Sequence, residues 1–332
     1  MYPDANKAKK LFDQSKTIAL FGHIHADGDC IGSLLGLGKL LEKQGKKISY
    51  FAPTEPSALF SFLPKTKKIK TIFDYKKYDM LVFVDFTGYD RIKTFTEKNP
   101  TYFDQHPLVI IDHHPERATK HALLIKDTTA MSCAEIIVEQ AEIRRKKYLD
   151  AEIATYLYLG ISTDSGNFMY DNDHKRIFNN ALKLVVLWAD KKLIVDNIFR
   201  KKSIEQMKFI WLLLERIRIQ GDVLYSYYTE NDIKRYHLDS EEAGYGLTVI
   251  QNIDGPKVVV LFKQIGNTCR WSLRSKWYAK NKKGIDCNDI AKQMNGWWHR
   301  NAAWFEVPAK TNSTKQMVDI VAFINKNIQQ QK

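Results

Sequence analysis

Four titratable side chains lie within seven residues near the start of the sequence. The segment FGHIHADGDCIGS (residues 21–33) contains His23, His25, Asp27 and Asp29, and it directly follows the apolar run TIALF. This run predicts a short buried strand. Charged side chains at a strand end cost free energy unless a cation or a hydrogen-bond donor pairs with them. We therefore predict a metal-binding loop, in which the residue types alone leave His23 and His25 as equal candidates.

Three further segments place acidic or histidine side chains after apolar or helix-like runs. VFVDF contains Asp85, VIIDHH contains Asp112, His113 and His114, and LGISTDSGNF contains Asp164. A single aspartate after a strand is usually a turn former or a helix N-cap. Four such clusters indicate one shared site, because ligands bind beyond the carboxyl ends of parallel strands.

The mixture of ligand types indicates which ions and which chemistry to expect. Converging carboxylates repel one another unless cations hold them. Carboxylate and imidazole ligands together suit Mn²⁺, with Mg²⁺ as the alternative where fewer histidines bind. Two such ions sharing a carboxylate form a site for in-line displacement at phosphorus. The spacing therefore favours a dinuclear hydrolase.

The first half of the chain alternates apolar runs with helix-like segments, which is typical of a parallel sheet covered on both faces. The predicted strands lie in residues 17–23, 46–53, 80–86, 107–114 and 121–127. The predicted helices lie in residues 33–45, ending at Gly45, and in residues 132–147, beginning with a capping box of Ser132 and Glu135. The predicted fold class is α/β, a parallel-sheet domain with flanking helices.

The second half has a different pattern. Residues 176–219 are helical in their spacing, and beyond residue 220 shorter aromatic and β-branched runs indicate a smaller α+β domain with a final helix near residues 314–330. We therefore predict a catalytic domain over residues 1–185, a helical connector over 186–220 and a substrate-binding domain over 221–332.

The composition is that of a globular protein, with 44% hydrophobic and 27% charged residues among 332. No apolar stretch reaches the roughly 18 residues that a membrane span needs, and the N-terminal residues lack the apolar core of a signal peptide. The four cysteines stand far apart without a CxxC pair, which favours reduced thiols. These features predict a cytoplasmic protein with no membrane partner.

The basic excess is concentrated in the second half. Residues 1–190 hold 27 Lys and Arg against 24 Asp and Glu, whereas residues 191–332 hold 24 against 14. A Lys-rich solvated surface explains this excess as well as a lobe that binds a polyanion does. Charge alone leaves both interpretations open.

In chain order, the four clusters resemble the four motifs of the DHH phosphoesterase family, whose name matches the triplet Asp112-His113-His114. WSLRS (271–275) and IAKQMNGWWHRNAAW (290–304) resemble the family's accessory DHHA1 domain, with its Leu-Arg-Ser strand and its GGGHxxAAG loop. The resemblance covers nearly the whole chain. The length of the chain and its pair of domains are similar to those of the family's compact branch, which degrades very short RNA and dephosphorylates 3′-phosphoadenosine-5′-phosphate (pAp).

The resemblance distinguishes the two histidines of the first loop. In the family motif H-x-x-P-D-x-D, the ligand position matches His23, while His25 falls on a spacer and Ala26 replaces the proline. The resemblance implies that two divalent ions are bound, Mn²⁺ before Mg²⁺. It assigns one ion to His23, Asp27 and Asp85 and the other to Asp29, Asp85, His113 and Asp164, with Asp85 bridging.

Catalytic and substrate-binding roles also follow from the resemblance. Asp112 and His114 are implied to orient ligands by hydrogen bonds, with His114 near the scissile phosphate. The implied substrate-binding residues are Arg274 and His299 first, then Ser272, Ser275, Arg270 and Arg91, because arginine can bind phosphate through two hydrogen bonds.

The glycine loop is where this sequence departs most from the family. Trp297, Trp298 and Trp304 replace three glycines, which puts phosphate contacts through main-chain amides in doubt. Either an indole stacks on a nucleobase, or these tryptophans pack in the core or in a dimer contact.

The implied activity is Mn²⁺-dependent hydrolysis of short oligoribonucleotides to mononucleotides, and of pAp to AMP. The implied partners are short single-stranded RNA, pAp and a second copy of the chain as a homodimer. The same motifs permit a linear or cyclic dinucleotide phosphodiesterase. The alternative from another class is a non-catalytic nucleic-acid-binding protein. Such a protein would not need all six implied metal ligands. All six are present, which favours an enzyme.

Overall fold

The apolar runs of the first half form one parallel sheet. Its strands are β1 (Thr17–Phe21), β2 (Lys47–Phe51), β3 (Ile69–Lys70), β4 (Met80–Val84), β5 (Leu108–Asp112) and β6 (Leu123–Lys126). Their order is β3-β2-β1-β4-β5-β6. The direction of strand addition reverses between β1 and β4, and ligands bind beyond the carboxyl ends of strands at such a reversal. The predicted α/β class is confirmed.

The computed structural model describes residues 4–114, 121–170, 174–275, 284–310 and 313–331, apart from the side chains of residues 142–146, 240–241 and 297–299. It separates into two units, residues 1–201 and 202–332. This division falls inside the segment 186–220 that the sequence predicts as a connector. No helix in the described ranges is long and apolar enough to cross a membrane.

Helices cover both faces of the parallel sheet. They are α1 (Ala5–Gln14), α2 (Gly28–Glu42), α3 (Lys93–Thr96), α4 (Tyr102–Gln105), α5 (Cys133–Arg145), α6 (Ala151–Asp164), α7 (His174–Val186) and α8 (Lys191–Ile194), followed by a π-helix over Val195–Arg200. One face of the sheet packs against α2, α5 and α6. An aromatic cluster that includes Phe21, Phe83 and Phe103 covers the other face.

Glycines let α2 approach α6 and α5 closely. A Cβ atom at Gly32 would lie 2.4 Å from the carbonyl oxygen of Tyr156 and 2.8 Å from the nitrogen of Gly160. A Cβ atom at Gly160 would lie 2.5 Å from that of Ala134 and 2.6 Å from Oδ1 of Asp29. The close helix packing therefore also sets the position of an acidic side chain of the predicted metal site.

The second unit is built on a mixed sheet in which β8 and β9 are parallel and the other pairs are antiparallel. Its strands, in spatial order, are β11 (Trp297–His299), β12 (Ala302–Pro308), β10 (Thr268–Ser275), β9 (Val258–Ile265), β8 (Val223–Thr229) and β7 (Arg218–Gln220). Its helices are α9 (Ile204–Glu215), α10 (Glu230–Arg235), α11 (Ser240–Ile250), α12 (Cys287–Lys292) and α13 (Ser313–Gln330). The predicted smaller α+β domain is confirmed.

The helical pattern expected up to residue 219 ends earlier in the structure. Helix α9 ends at Glu215, and Arg218–Gln220 pairs with β8 as an edge strand. The alternation of arginine and isoleucine over residues 216–219 is a period-2 pattern, which favours a strand once a partner strand is available.

We predict that Gly32→Ala destabilises the chain by about 1 to 3 kcal/mol, because the new methyl group would overlap backbone atoms of α6. Gly244→Ala in α11 is the matched control, since among the described residues no atom outside its own helix backbone and chain neighbours lies within 4 Å of its Cβ position. Alanine is the better helix former, so this control should gain roughly 0.5 to 1 kcal/mol. Urea denaturation of both variants measures the difference, and equal midpoints for the two would contradict the close approach.

Candidate metal centre

Side chains from five elements converge beyond the carboxyl ends of β1, β4 and β5. His23 follows β1, Asp85 follows β4 and His113 follows β5, while Asp29 lies in the first turn of α2 and Asp164 ends α6. Asp29, Asp85, His23 and His113 are all nearly completely buried. The structure thus brings together residues that lie up to 141 positions apart in the sequence.

Asp85 is the link between two groups of ligand atoms. Its Oδ2 lies 3.2 Å from Nε2 of His23, and its Oδ1 lies 3.4 Å from Nε2 of His113. Its backbone continues the sheet by donating a hydrogen bond to the carbonyl of Ile111, yet its φ of 54° is in the left-handed region. Non-glycine residues rarely adopt this region, and such strain recurs at functional sites.

Burial alone would raise the pKa of Asp85, but the nearby imidazoles of His113 and His23 hold it well below its ordinary range. Asp85 therefore stays ionised at neutral pH. An ionised carboxylate with each oxygen facing a different imidazole is suited to bridge two cations.

His113 lies among three carboxylates. Its Nε2 is 3.4 Å from Asp85, 3.4 Å from Oδ2 of Asp164 and 3.9 Å from Oδ2 of Asp29. These separations are longer than the 2.7–2.9 Å of a direct charge-assisted hydrogen bond. One ligand atom from each of Asp29, His113 and Asp164 lies within 4.8 Å of the others, which is the spacing of a metal-binding group.

His23 is oriented by its other ring nitrogen. Nδ1 lies 2.8 Å from the carbonyl oxygen of Ile24, and this contact orients the ring so that Nε2 faces Oδ2 of Asp85 at 3.2 Å. Cys30 lies within reach of the same two residues. Burial raises the pKa of the Cys30 thiol, which favours its protonated form in the metal-free chain.

The N-terminus of α5 holds Asp29 in place. Its carboxylate accepts hydrogen bonds from the backbone N–H groups of Cys133 (2.6 Å) and Ala134 (2.9 Å) and from the hydroxyl of Ser33 (3.2 Å). The start of α5 is itself fixed because Ser132 Oγ accepts from the N–H of Glu135, which is one of the two bonds of the predicted capping box. The Glu135 carboxylate accepts from the N–H of Met131 instead of that of Ser132. A helix N-terminus stabilises a negative charge.

The raised pKa values in the cluster show that its carboxylates are not balanced by nearby positive charge. Burial, together with the charge of Asp85, raises the pKa of Asp29 to about 7. Burial and the charges of Asp29 and Asp27 raise the pKa of Asp164 well above its ordinary value. Burial opposes a charge on His113, but the contacts with Asp85 and Asp164 raise its pKa to about 10. Divalent ions would replace these protons, so the residues fit a metal centre.

His114 lies at the border of the cluster, with Nδ1 3.3 Å from Oδ1 of Asp85, and its ligand atoms group with those of Asp85 and His113. The fully buried Asp112 accepts a hydrogen bond from Nδ1 of His114 (2.9 Å), and its other oxygen lies 3.2 Å from Nζ of Lys126. Lys126 pairs with Asp112 in the register of β5 and β6. The sequence reasoning missed Lys126, although its place at the end of the run HALLIKD, beside the acidic end of β5, was a usable signal.

Two residues of the first loop lie apart from the metal-binding groups. Asp27 caps α2 by accepting from the N–H of Cys30 at 3.0 Å, and it is outside the three clusters of ligand atoms that the described residues form. His25 is exposed, has a φ of 52° and donates its N–H to Thr54. This exposure agrees with the spacer position implied by the resemblance.

The predicted substrate-binding residues are divided between the two units. Arg91 lies in the first unit, with Nη2 3.0 Å from Nδ1 of His23. In the second unit, Arg274 donates to the carbonyl of Leu273, and Ser272 is half-buried on the same strand. Ser275 donates to Oδ1 of Asn301.

Only part of the tryptophan-rich loop can be described. The backbone of Trp297, Trp298 and His299 forms β11, whereas their side chains lie outside the described residues. The guanidinium of Arg270 lies over the ring of Trp304, with its Cζ 4.4 Å from the ring centroid. Arg270 also donates to Glu306 at 2.8 Å. This Arg270–Trp304 contact was not anticipated from the sequence.

Comparisons with known proteins agree with the fold and the site. The DHH family, N-terminal domain, matches residues 17–161. The bifunctional oligoribonuclease and PAP phosphatase NrnA of Mycoplasma genitalium is 29% identical, over 98% of this chain and 97% of that protein. The protein of the same name from Bacillus subtilis is 24% identical, over 92% and 93%. An exopolyphosphatase-related protein from Bacteroides fragilis has the same fold, with a TM-score of 0.82 at 19% identity over 98% of this chain and 96% of that one.

We predict that Mn²⁺ raises the stability of the chain by about 2.7 kcal/mol at a free concentration one hundred times its Kd. Asp164→Asn should leave the metal-free chain equally stable or more stable, because it removes a partly buried carboxyl group whose charged form is unfavourable beside Asp29. The same variant should lose most of the stabilisation by Mn²⁺. Thermal unfolding with and without chelator measures both effects.

Asp104→Asn serves as the control, because Asp104 is exposed on α4, which precedes β5, whereas His113 follows the opposite end of that strand. It should keep the full response to Mn²⁺. An Asp164→Asn variant that responds to Mn²⁺ as strongly as this control would show that the ions bind elsewhere.

Proposed function

We propose that this chain, whose residues 17–161 match the DHH family, N-terminal domain, is a two-metal phosphoesterase that hydrolyses short oligoribonucleotides to mononucleotides and pAp to AMP. The observation that carries this proposal is the division of the Asp85 carboxylate between the groups around His23 and His113. The two similar proteins are named for oligoribonuclease and PAP phosphatase activities, which supports the choice of substrates.

The proposed ligand sets follow the two sides of Asp85. One ion would be held by His23, Asp27 and Asp85, and the other by Asp29, Asp85, His113 and Asp164. Oδ1 of Asp27 accepts the capping hydrogen bond from the N–H of Cys30, so its other oxygen would be the one to serve as a ligand. We propose Mn²⁺ as the ion because two imidazoles accompany the four carboxylates.

Bound at these positions, two divalent ions activate water for attack on phosphorus and neutralise the phosphate oxygens. The chain's own residues set the geometry around them. Asp112 holds Nδ1 of His114, which leaves Nε2 to contact the phosphate or to give a proton to the leaving oxygen. The guanidinium of Arg91, beside His23, supplies positive charge for the same anion.

The second unit is proposed to bind the nucleotide, as the DHHA1-like domain over residues 221–332. Its candidate residues are Arg274, His299, Ser272 and Ser275. Residues 191–332 contain 24 basic and 14 acidic residues, and this excess of positive charge supports binding of an anionic substrate. The acidic metal ligands cannot themselves hold such a substrate. We also propose a cytoplasmic location. Its support is that the four cysteines are buried and form no disulfide, as is usual in a reducing compartment.

We predict that Asp85→Asn lowers kcat/KM for pAp and for diribonucleotides by about three orders of magnitude or more, since bound ions supply several kcal/mol of transition-state stabilisation. Purified chain with Mn²⁺ is offered pAp, RNA of two to about ten nucleotides and cyclic dinucleotides side by side, with Asp104→Asn as the control. Wild-type rates from the Asp85 variant would end the two-metal proposal. Turnover of cyclic dinucleotides alone would replace the proposed substrates.

We predict that Lys126→Met lowers kcat by roughly 10- to 100-fold with little change in KM, because it removes the partner that fixes Asp112 behind His114. Lys126→Arg should restore most of the rate, since it keeps the charge beside the carboxylate. Steady-state kinetics on pAp compares the variants. Equal losses in the methionine and arginine variants would indicate a packing defect instead.

A further inference from the structure

A cysteine side chain lies among the ligand atoms on the His23 side of the metal centre. The Sγ of Cys30, a ring nitrogen of His23 and a carboxylate oxygen of Asp85 all lie within 4.8 Å of one another. All three residues are nearly or completely buried. The fold therefore presents three potential ligands of different chemistry, an imidazole, a carboxylate and a thiol, to the same small volume.

The position of the Cys30 thiol is fixed by the loop on both sides of it. Cys30 lies in the first turn of α2, where its N–H donates to Oδ1 of the capping residue Asp27. Its Sγ accepts a hydrogen bond from the N–H of His23 at 3.4 Å. The chain leaves β1 through Gly22, and a Cβ atom there would lie only 2.8 Å from this sulfur. The sulfur thus occupies space beside His23 that a side chain at residue 22 would otherwise fill.

The other cysteine of the first unit has a different environment. Cys133 is also completely buried, but its Sγ donates to the carbonyl of Ile111 at 3.2 Å. It is outside the groups of ligand atoms that the described residues form. Buried cysteines usually act as small hydrophobic residues, and Cys133 fits this description. Cys30 differs from it because the sulfur of Cys30 faces an imidazole and a carboxylate of the metal centre.

The Asp85 carboxylate between these groups lacks hydrogen-bond donors. Its Oδ1 is buried and forms no hydrogen bond with any of the described residues, while its Oδ2 faces Nε2 of His23 at 3.2 Å. A buried carboxylate oxygen without a donor costs free energy unless a cation pairs with the group. A cation that pairs with Asp85 on its His23 side enters the same group of ligand atoms as the Cys30 sulfur.

A thiolate ligand changes which ion this position prefers. Thiolate is soft and selects Zn²⁺ and similar thiophilic ions, whereas Mn²⁺ and Mg²⁺ prefer carboxylate oxygens. The group formed by Asp29, His113 and Asp164 consists of oxygen and nitrogen ligands. The two ion positions therefore differ in the softness of their ligands, although they share the Asp85 carboxylate.

We propose that the ion position beside His23 is a thiophilic site, in which Cys30 is a ligand together with His23 and Asp85 and which takes Zn²⁺ in preference to Mn²⁺. When the ion binds, the S–H bond breaks, a sulfur–metal bond forms and the proton passes to solvent. Because this site rests on the proposed two-metal function, the centre becomes a mixed one, with Mn²⁺ retained at the position beside His113. With Mn²⁺ alone in solution, Mn²⁺ fills both positions.

The sulfur–metal bond is tested by titrating the metal-free full chain with Co²⁺, which substitutes for Zn²⁺ and absorbs in the near ultraviolet by charge transfer when a thiolate binds it. The wild-type chain should show this band, and the band should saturate at one thiolate-bound ion per chain. Cys30→Ser should lose it, because a hydroxyl group is a poor ligand for these ions. Cys133→Ser is the matched control and should keep the band, since its hydroxyl can still donate to the carbonyl of Ile111.

The preference for a thiophilic ion is measured on the chain loaded with Mn²⁺. Added Zn²⁺ should release one Mn²⁺ per wild-type chain, which the electron paramagnetic resonance signal of free Mn²⁺ detects. In Cys30→Ser the same release should need a Zn²⁺ concentration roughly 10- to 100-fold higher, because the soft ligand is lost. Equal Zn²⁺ requirements for the wild-type chain and Cys30→Ser would contradict the preference.

A wild-type chain that shows no charge-transfer band with saturating Co²⁺ would overturn the proposal, whether or not the variants fold. A band that Cys30→Ser keeps, or that Cys133→Ser loses, would also overturn it. Hydrolysis of pAp by the wild-type chain with Mn²⁺ is measured separately. Hydrolysis without the band contradicts only the thiolate ligand, whereas the band without hydrolysis supports the ligand and contradicts only the proposed function.

Discussion

The shared carboxylate of Asp85 is the interaction on which the rest of the site depends. A single acidic side chain faces His23 with one oxygen and His113 with the other, so any change in its orientation disturbs both halves of the centre. Its backbone adopts a left-handed conformation directly after β4, which directs the carboxylate across the ends of neighbouring strands. The N–H of Asp85 donates to the carbonyl of Ile111, which extends the pairing of β4 with β5 and holds Asp85 in this strained conformation.

The surrounding helices bring the other charges to this carboxylate. Gly32 and Gly160 allow α2, α5 and α6 to approach until Asp29 meets the N-terminal amides of α5. The like charges of Asp29, Asp85 and Asp164 are concentrated in a volume from which water is largely excluded. The packing energy of the first unit thus stabilises an arrangement that is electrostatically unfavourable without cations.

Much of this architecture could be predicted from the sequence, because apolar strands followed by acidic turns leave a local signal. The five apolar runs all became parallel strands, and their polar ends meet at one edge. Contacts set by tertiary packing leave no such signal. The amides that hold Asp29 lie more than 100 residues away, and the capping role of Asp27 competes with its role as a ligand.

The bridging role of Asp85 is tested most directly by electron paramagnetic resonance of the chain titrated with Mn²⁺. The bridging role predicts that two ions bind per chain and give a spin-coupled spectrum, which Asp85→Asn converts to that of isolated ions. Binding of a single ion, or of two ions that remain magnetically independent in the wild-type chain, would contradict it.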